Sequence, residues 1–105
     1  QVCTRNSAKL CIVIIPSPAD LIEDYDFCSI DRKKYPEYDP RAITRVMANA
    51  ARQNEIPIVN LFDQFQSDNP RELYFRGGDN HWNDLGQQTA AKIVAREIER
   101  LGPTL

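Results

Sequence analysis

Leu10-Cys11-Ile12-Val13-Ile14-Ile15 is an unbroken apolar run, dominated by β-branched side chains and stopped by Pro16. A strand with one solvated face alternates polar and apolar residues. This run does not alternate, so it is expected to be buried on both faces, as in a parallel sheet covered by helices. It is too short for a buried helix, and Pro16 and Pro18 would end one. Ile56-Pro57-Ile58-Val59-Asn60-Leu61-Phe62 reads as a second strand, with Pro57 tolerated near its start. Between the two, Asp39-Pro40 has the form of a helix start, a capping carboxylate followed by proline. Ile43, Val46, Met47 and Ala50 follow at helical spacing as an expected buried stripe, with the Met as core filler and Asn54 as the stop. Strand, crossover helix and strand make a parallel unit. The expected fold class is therefore α/β: a partial three-layer α/β/α arrangement of flavodoxin-like type with a short, mainly parallel sheet.

The remaining segments fill in around that unit. Gln1–Ala8 is a polar lead-in without regular structure. Ala19–Asp26 is expected to form one or two helical turns with Leu21 and Ile22 inward. Residues 27–38 form a long irregular connection, whose Tyr35 and Tyr38 pack on the body of the domain or cover a cleft. Asp63–Arg71 reads as polar connection, and Glu72–Phe75 as a short extension. Asn83 or Asp84 caps a last helix with Leu85, Ala90, Ile93, Val94, Ile98 and Leu101 along one side, ended by Gly102-Pro103. The 105 residues make a single domain. A strand apolar on both faces is poorly served by two or three strands, so residues 1–105 are expected to be the C-terminal portion of a larger domain. The rest of its own chain, or a second chain, would complete the sheet.

Composition narrows the function. With 42% apolar and 27% charged residues the chain is globular rather than disordered. A net charge of −2, from 15 acidic and 13 basic residues, argues against nucleic acid as a partner, because phosphate binding needs a concentrated positive field. Arg32-Lys33-Lys34 is a short solvated run. No stretch has the length of a membrane span. Cys3, Cys11 and Cys28 lie outside metal or redox spacings; Cys11 is expected to be a small buried hydrophobe, and a Cys3–Cys28 disulfide is open.

The chemistry concentrates in Gly77-Gly78-Asp79-Asn80-His81-Trp82-Asn83-Asp84. His81 is the sole histidine, and imidazole is the side chain whose ordinary pKa lies nearest neutrality. As general base it would be oriented by Asp79, which accepts from the ring Nδ1–H, and the two glycines would allow the tight bend. Trp82 would pack beside the site and exclude water. The plainer reading, a histidine bonded to its loop beside capping residues, stays open. Asp79, His81 and Asp84 are a thin set for a metal, and neither metal nor cofactor is expected. Open α/β sheets also place sites after a strand's carboxyl end, which makes Ser17, in Pro16-Ser17-Pro18, a weak candidate nucleophile.

A strand ending in proline, a long helical crossover, the strand Ile56–Leu61, and then Leu73-Tyr74-Phe75-Arg76-Gly77-Gly78-Asp79-Asn80-His81-Trp82 before an Ala-rich helix resembles the C-terminal half of an SGNH (GDSL-type) hydrolase. The Asp-x-His-Trp form is similar to the branch that includes alginate O-acetyltransferase-like proteins. The resemblance implies Asp79 and His81 as acid and base, an O-acylated carbohydrate or other small ester as substrate, and an extracytoplasmic compartment. The family's Gly-Asp-Ser block and its oxyanion-donor blocks have no match here. The expected function is therefore ester hydrolysis or O-acetyl transfer with the nucleophilic serine supplied from outside this segment. The rival reading is a binding module that keeps the fold without the nucleophile; a flavodoxin-like regulatory domain ranks last for want of a phosphate-binding glycine loop.

Overall fold

Ile12–Ile14 (β1) and Ile58–Asn60 (β2) pair in parallel, with Ile12 opposite Ile58 and Ile14 opposite Asn60, in the computed structural model, which describes residues 1–25 and 29–102. The Ile12 N–H donates to the Pro57 carbonyl (2.9 Å), and the Leu61 N–H to the Ile14 carbonyl (3.1 Å). Pro57 is tolerated because its place in the ladder asks only for an acceptor. The order along the chain is α1 (Val2–Arg5), β1, α2 (Pro18–Leu21), α3 (Ala42–Gln53), β2, α4 (Phe62–Ser67), a 3-10 turn (Pro70–Glu72) and α5 (Asp84–Leu101). Helix α3 is the crossover and packs against both strands, so the molecule is the expected partial α/β arrangement.

The core gathers on the side of the chain that follows the strands' carboxyl ends. Leu21, Ile22, Tyr25, Val59, Leu61, Phe62, Phe65, Leu73, Tyr74 and Ala90 form one buried cluster, with Trp82, Ile93 and Val94 packed against it. Leu61 and Phe65 are 0% exposed. Phe62, expected to end the second strand, and Asp63–Ser67, expected as connection, instead form α4, because Phe62 and Phe65 are one helical turn apart and both seek this core while Asp63, Gln64 and Gln66 face water.

Other expectations need correction. In β1 only Ile14 is buried; Val13, and the flanking Leu10 and Ile15, are exposed, because the described residues supply one neighbouring strand and one covering helix. Helix α3 turns a different face inward. Thr44, Ala48 and Ala51 are buried, whereas Ile43 and Val46 are 67% and 66% exposed, Met47 is exposed too, and so is Ala50. Small side chains at 44, 48 and 51 let the helix approach the strands closely, and the bulky stripe is left as an outward apolar patch. The helix also starts two residues late. The Asp39 carboxylate caps the preceding turn, accepting from the Arg41 N–H at 2.9 Å. Helix α1 occupies part of the expected lead-in. Along α5 the inward stripe fades: Ala90 is buried, but Leu85 and Ile98 are exposed.

The connection before α3 is irregular, as expected. Its Tyr38 hydroxyl donates to the buried Asp20 carboxylate, and burial together with that carboxylate pushes the phenol up to about 12. Tyr35 remains exposed. Cys28 lies outside the described residues, and with it the question of a Cys3–Cys28 pair; Cys11 is half-buried rather than buried. Among the described residues no helix is long and apolar enough to cross a membrane.

The two faces of this packing make opposite demands on substitution. Phe65→Ala should cost about 3–5 kcal/mol in denaturant unfolding. Ile43→Gln should change stability by less than about 0.5 kcal/mol; a large loss there would restore the outward stripe to the core.

Candidate active site

Residues 75–81 form a loop closed at its neck by main-chain bonds. Tyr74 and Trp82 make an antiparallel bridge, the Phe75 N–H donates to the His81 carbonyl (3.0 Å), and the Asn83 N–H to the Leu73 carbonyl (2.9 Å). The side chain of Asn83 then locks the neck to the last helix. Its Oδ1 accepts from the Gly86 N–H (3.0 Å) as the N-cap of α5, and its Nδ2 donates to the carbonyls of Glu72 (2.7 Å) and Tyr74 (3.2 Å). An aspartate could cap the helix equally well, but it would have nothing to donate to those carbonyls. Gly86 is required by contact: a Cβ there would lie 2.3 Å from the Leu73 carbonyl oxygen. At the tip, Gly77 and Gly78 have φ of 76° and 95°, left-handed values that a side chain would oppose.

The bend brings acid and base together. Oδ1 of Asp79 lies 2.7 Å from Nδ1 of His81 and also accepts from the His81 main-chain N–H at 2.8 Å. The bond from that N–H, reinforced by the one from the ring, holds the Asp79 carboxyl below the usual carboxylate range. A carboxylate can only accept, so the proton of this bond belongs to Nδ1, which leaves Nε2 with its lone pair available. The ring is 81% and the Asp79 side chain 51% exposed, so the pair stands at an open rim.

His81 faces a cavity of about 320 Å³ at the carboxyl end of β1, lined by residues 15–18, Tyr74, Asn80, His81 and Trp82. Trp82 lines this cavity beside the pair, its ring tilted against Phe65 with centroids 6.5 Å apart, but it does not shield the imidazole from water as expected. Tyr74 ties the strand end to the loop: its buried hydroxyl donates to the Pro16 carbonyl at 2.6 Å, and burial raises its pKa. A larger cavity, about 690 Å³, lies at the other end of the strands among α1, residues 8–10 and residues 54–57, and holds no part of the pair.

Ser17 lines the same cavity as His81, but its Oγ accepts from the Ala19 N–H (3.3 Å) and caps α2. No bond joins it to the imidazole among the described residues. Asp84 lies in the first turn of α5, and no group of three His, Cys, Asp or Glu able to hold a metal is brought together among the described residues. The residue that sequence reasoning missed is Tyr25. Its hydroxyl oxygen lies 2.5 Å from the carbonyl oxygen of Phe75 and 2.7 Å from that of Asp79 itself, so its single proton is shared between the two, across 50 residues of chain or more, and nothing local to residue 25 signals that.

Because its pKa is lowered by folding, Asp79 contributes stability above its ordinary 3.8, and that contribution is lost as pH falls through the lowered value. A carboxyl-carbon NMR titration should place Asp79 below 3.8, and His81→Ala, which removes the ring bond but keeps the main-chain N–H, should raise it only part of the way back. Asn83→Ala, which removes a cap and two donors, should cost about 1–3 kcal/mol in thermal unfolding.

Comparison with known proteins matches residues 4–105 to the family described as "SGNH hydrolase-like domain, acetyltransferase AlgX". No curated protein and no solved structure matches. A match over almost the whole length, on a chain whose Asp-x-His pair stands at the strand end of a parallel α/β unit, makes the assignment: this chain belongs to the SGNH hydrolase-like domains of the AlgX acetyltransferase family.

Proposed function

We propose that the chain carries the acid–base half of an ester-hydrolysing or O-acyl-transferring site, with His81 as general base, Asp79 as its orienting partner and an O-acylated carbohydrate as substrate. The family supports hydrolysis of esters or acetyl transfer in general. The bond of 2.7 Å between Asp79 Oδ1 and His81 Nδ1 supports the roles given to those two residues, and the carbohydrate substrate rests on the family alone. The bond fixes the tautomer that leaves Nε2 basic and faces the imidazolium that forms with a carboxylate already in place.

In this reading Nε2 takes the proton of a serine hydroxyl as its oxygen attacks the acyl carbonyl. The imidazolium then gives that proton to the departing sugar oxygen, leaving an acyl-serine. Water, or the hydroxyl of an acceptor, releases the acyl group by the same exchange in reverse order. In this reading the serine and the oxyanion donors come from polypeptide other than residues 1–105, because no Gly-Asp-Ser block stands here and the Ser17 hydroxyl, the cap of α2, is not bonded to the ring. The cavity beside His81, with Ile15, Pro16, Pro18 and Trp82 in its wall, suits a short acyl group.

A second reading, a carbohydrate-binding module without turnover, is favoured by the absence of a serine bonded to the ring among the described residues. A serine-directed fluorophosphonate separates the two: the complete protein is labelled if it is an enzyme and silent if it is a module. In the complete protein His81→Ala and Asp79→Asn should each lower turnover of an acetyl ester by roughly 10²–10⁴-fold without loss of the fold. Undiminished turnover in His81→Ala would dispose of the catalytic role.

A further inference from the structure

The acid of the pair is fixed from two sides. Its carboxylate is held by the ring and main chain of His81, and its main-chain carbonyl accepts from the hydroxyl of Tyr25 at 2.7 Å. The same hydroxyl lies 2.5 Å from the Phe75 carbonyl oxygen, so its one proton, shared between the two carbonyls, bridges the start of the glycine turn and its end. Between those two carbonyls lie Arg76, Gly77 and Gly78, and both glycines are in left-handed conformations that are open to many alternatives. The neck bonds at residues 73–75 and 81–83 fix where the loop begins and ends, but not the course of its tip.

Tyr25 is well placed to do that. It is 5% exposed and belongs to the buried cluster, its ring edge-to-face with Tyr74 at 6.5 Å and 70°. Buried Ile22 anchors the segment that carries it, and an Arg71–Asp24 ion pair (2.7 Å) ties that segment to the 3-10 turn. Core packing therefore fixes the phenol, and the phenol fixes a loop with little packing of its own. We infer that Tyr25 is a positioning residue, a clasp from the core that holds the glycine turn closed and so sets the Asp79 carboxylate against the imidazole. This rests on the acid–base reading of Asp79 and His81 for its effect on turnover, though not for its effect on the loop.

Tyr25→Phe keeps the ring and removes the hydroxyl. The expected result in the complete protein is a fall in kcat of about tenfold or more with KM little changed, because the loss is one of alignment. In Tyr25→Phe/Asp79→Asn the two losses should be far from additive, as befits a residue acting through Asp79; a general weakening of the fold would add. The His81 amide proton, shifted downfield by its bond to the Asp79 carboxylate, should move upfield in Tyr25→Phe. An unmoved amide with unchanged kcat, while His81→Ala is inactive, overturns the clasp and spares the acid–base reading. A moved amide with full turnover in His81→Ala does the reverse. If Tyr25→Phe fails to fold, the unaltered protein decides. A slowly exchanging Tyr25 hydroxyl proton coupled through a hydrogen bond to the carbonyl carbon of Phe75, of Asp79 or of both supports the clasp, and a hydroxyl exchanging freely with water refutes it.

Discussion

The antiparallel pinch between Tyr74 and Trp82 is the constraint on which the candidate site depends. A heptapeptide with two adjacent glycines has no reason to present an acid to an imidazole unless its ends are held. Here the ends meet in a few main-chain bonds, and the flanking side chains of the pinch are recruited to other tasks. Tyr74 reaches the end of β1 through Pro16, and Trp82 leans on the core at Phe65. Asn83, one residue on, converts the pinch into the start of α5. The loop is thus fastened at its neck to strand, core and helix together, while Asp79 and His81 stay exposed to water.

That arrangement divides the molecule into a rigid support and an open rim. The support is apolar and well buried, and it lies beyond the strands' carboxyl ends, where ligands meet open α/β sheets. The rim carries one hydrogen-bonded pair, the Asp79 carboxylate and the His81 ring, exposed enough to meet a substrate. Its value is geometric: two bonds to one carboxylate oxygen settle which ring nitrogen is free. The strands and α3 contribute little to this chemistry beyond placing residues 15–18 opposite the loop.

Much of this was legible in the sequence, and the parts that were not share a cause. The strands, the crossover helix, the capped last helix and the Asp79–His81 contact all follow from local pattern: apolar runs, a proline or asparagine at an element's edge, an acid two residues from a histidine across glycines. What failed was the choice of face. The stripe Ile43, Val46, Met47 has the right period for a buried helix face, yet the smaller Thr44, Ala48 and Ala51 are the ones against the strands. Periodicity names a helix; which side turns inward depends on what the rest of the fold supplies to cover it. Helix α4 was hidden for a related reason: Phe62 read as the end of the second strand, and the polar residues around Phe65 read as connection. Tyr25 was invisible altogether, since its partners lie at residues 75 and 79 and only the folded chain joins them.

Because His81 is the only imidazole in the sequence, the central claim has a direct spectroscopic reading. A long-range proton–nitrogen correlation spectrum of the neutral ring reports which nitrogen bears the hydrogen. A ring held by the acid two residues away carries it on Nδ1 and leaves Nε2 bare. A spectrum dominated by hydrogen on Nε2 would mean that the acid does not orient the base, and the proposed chemistry would have no foundation.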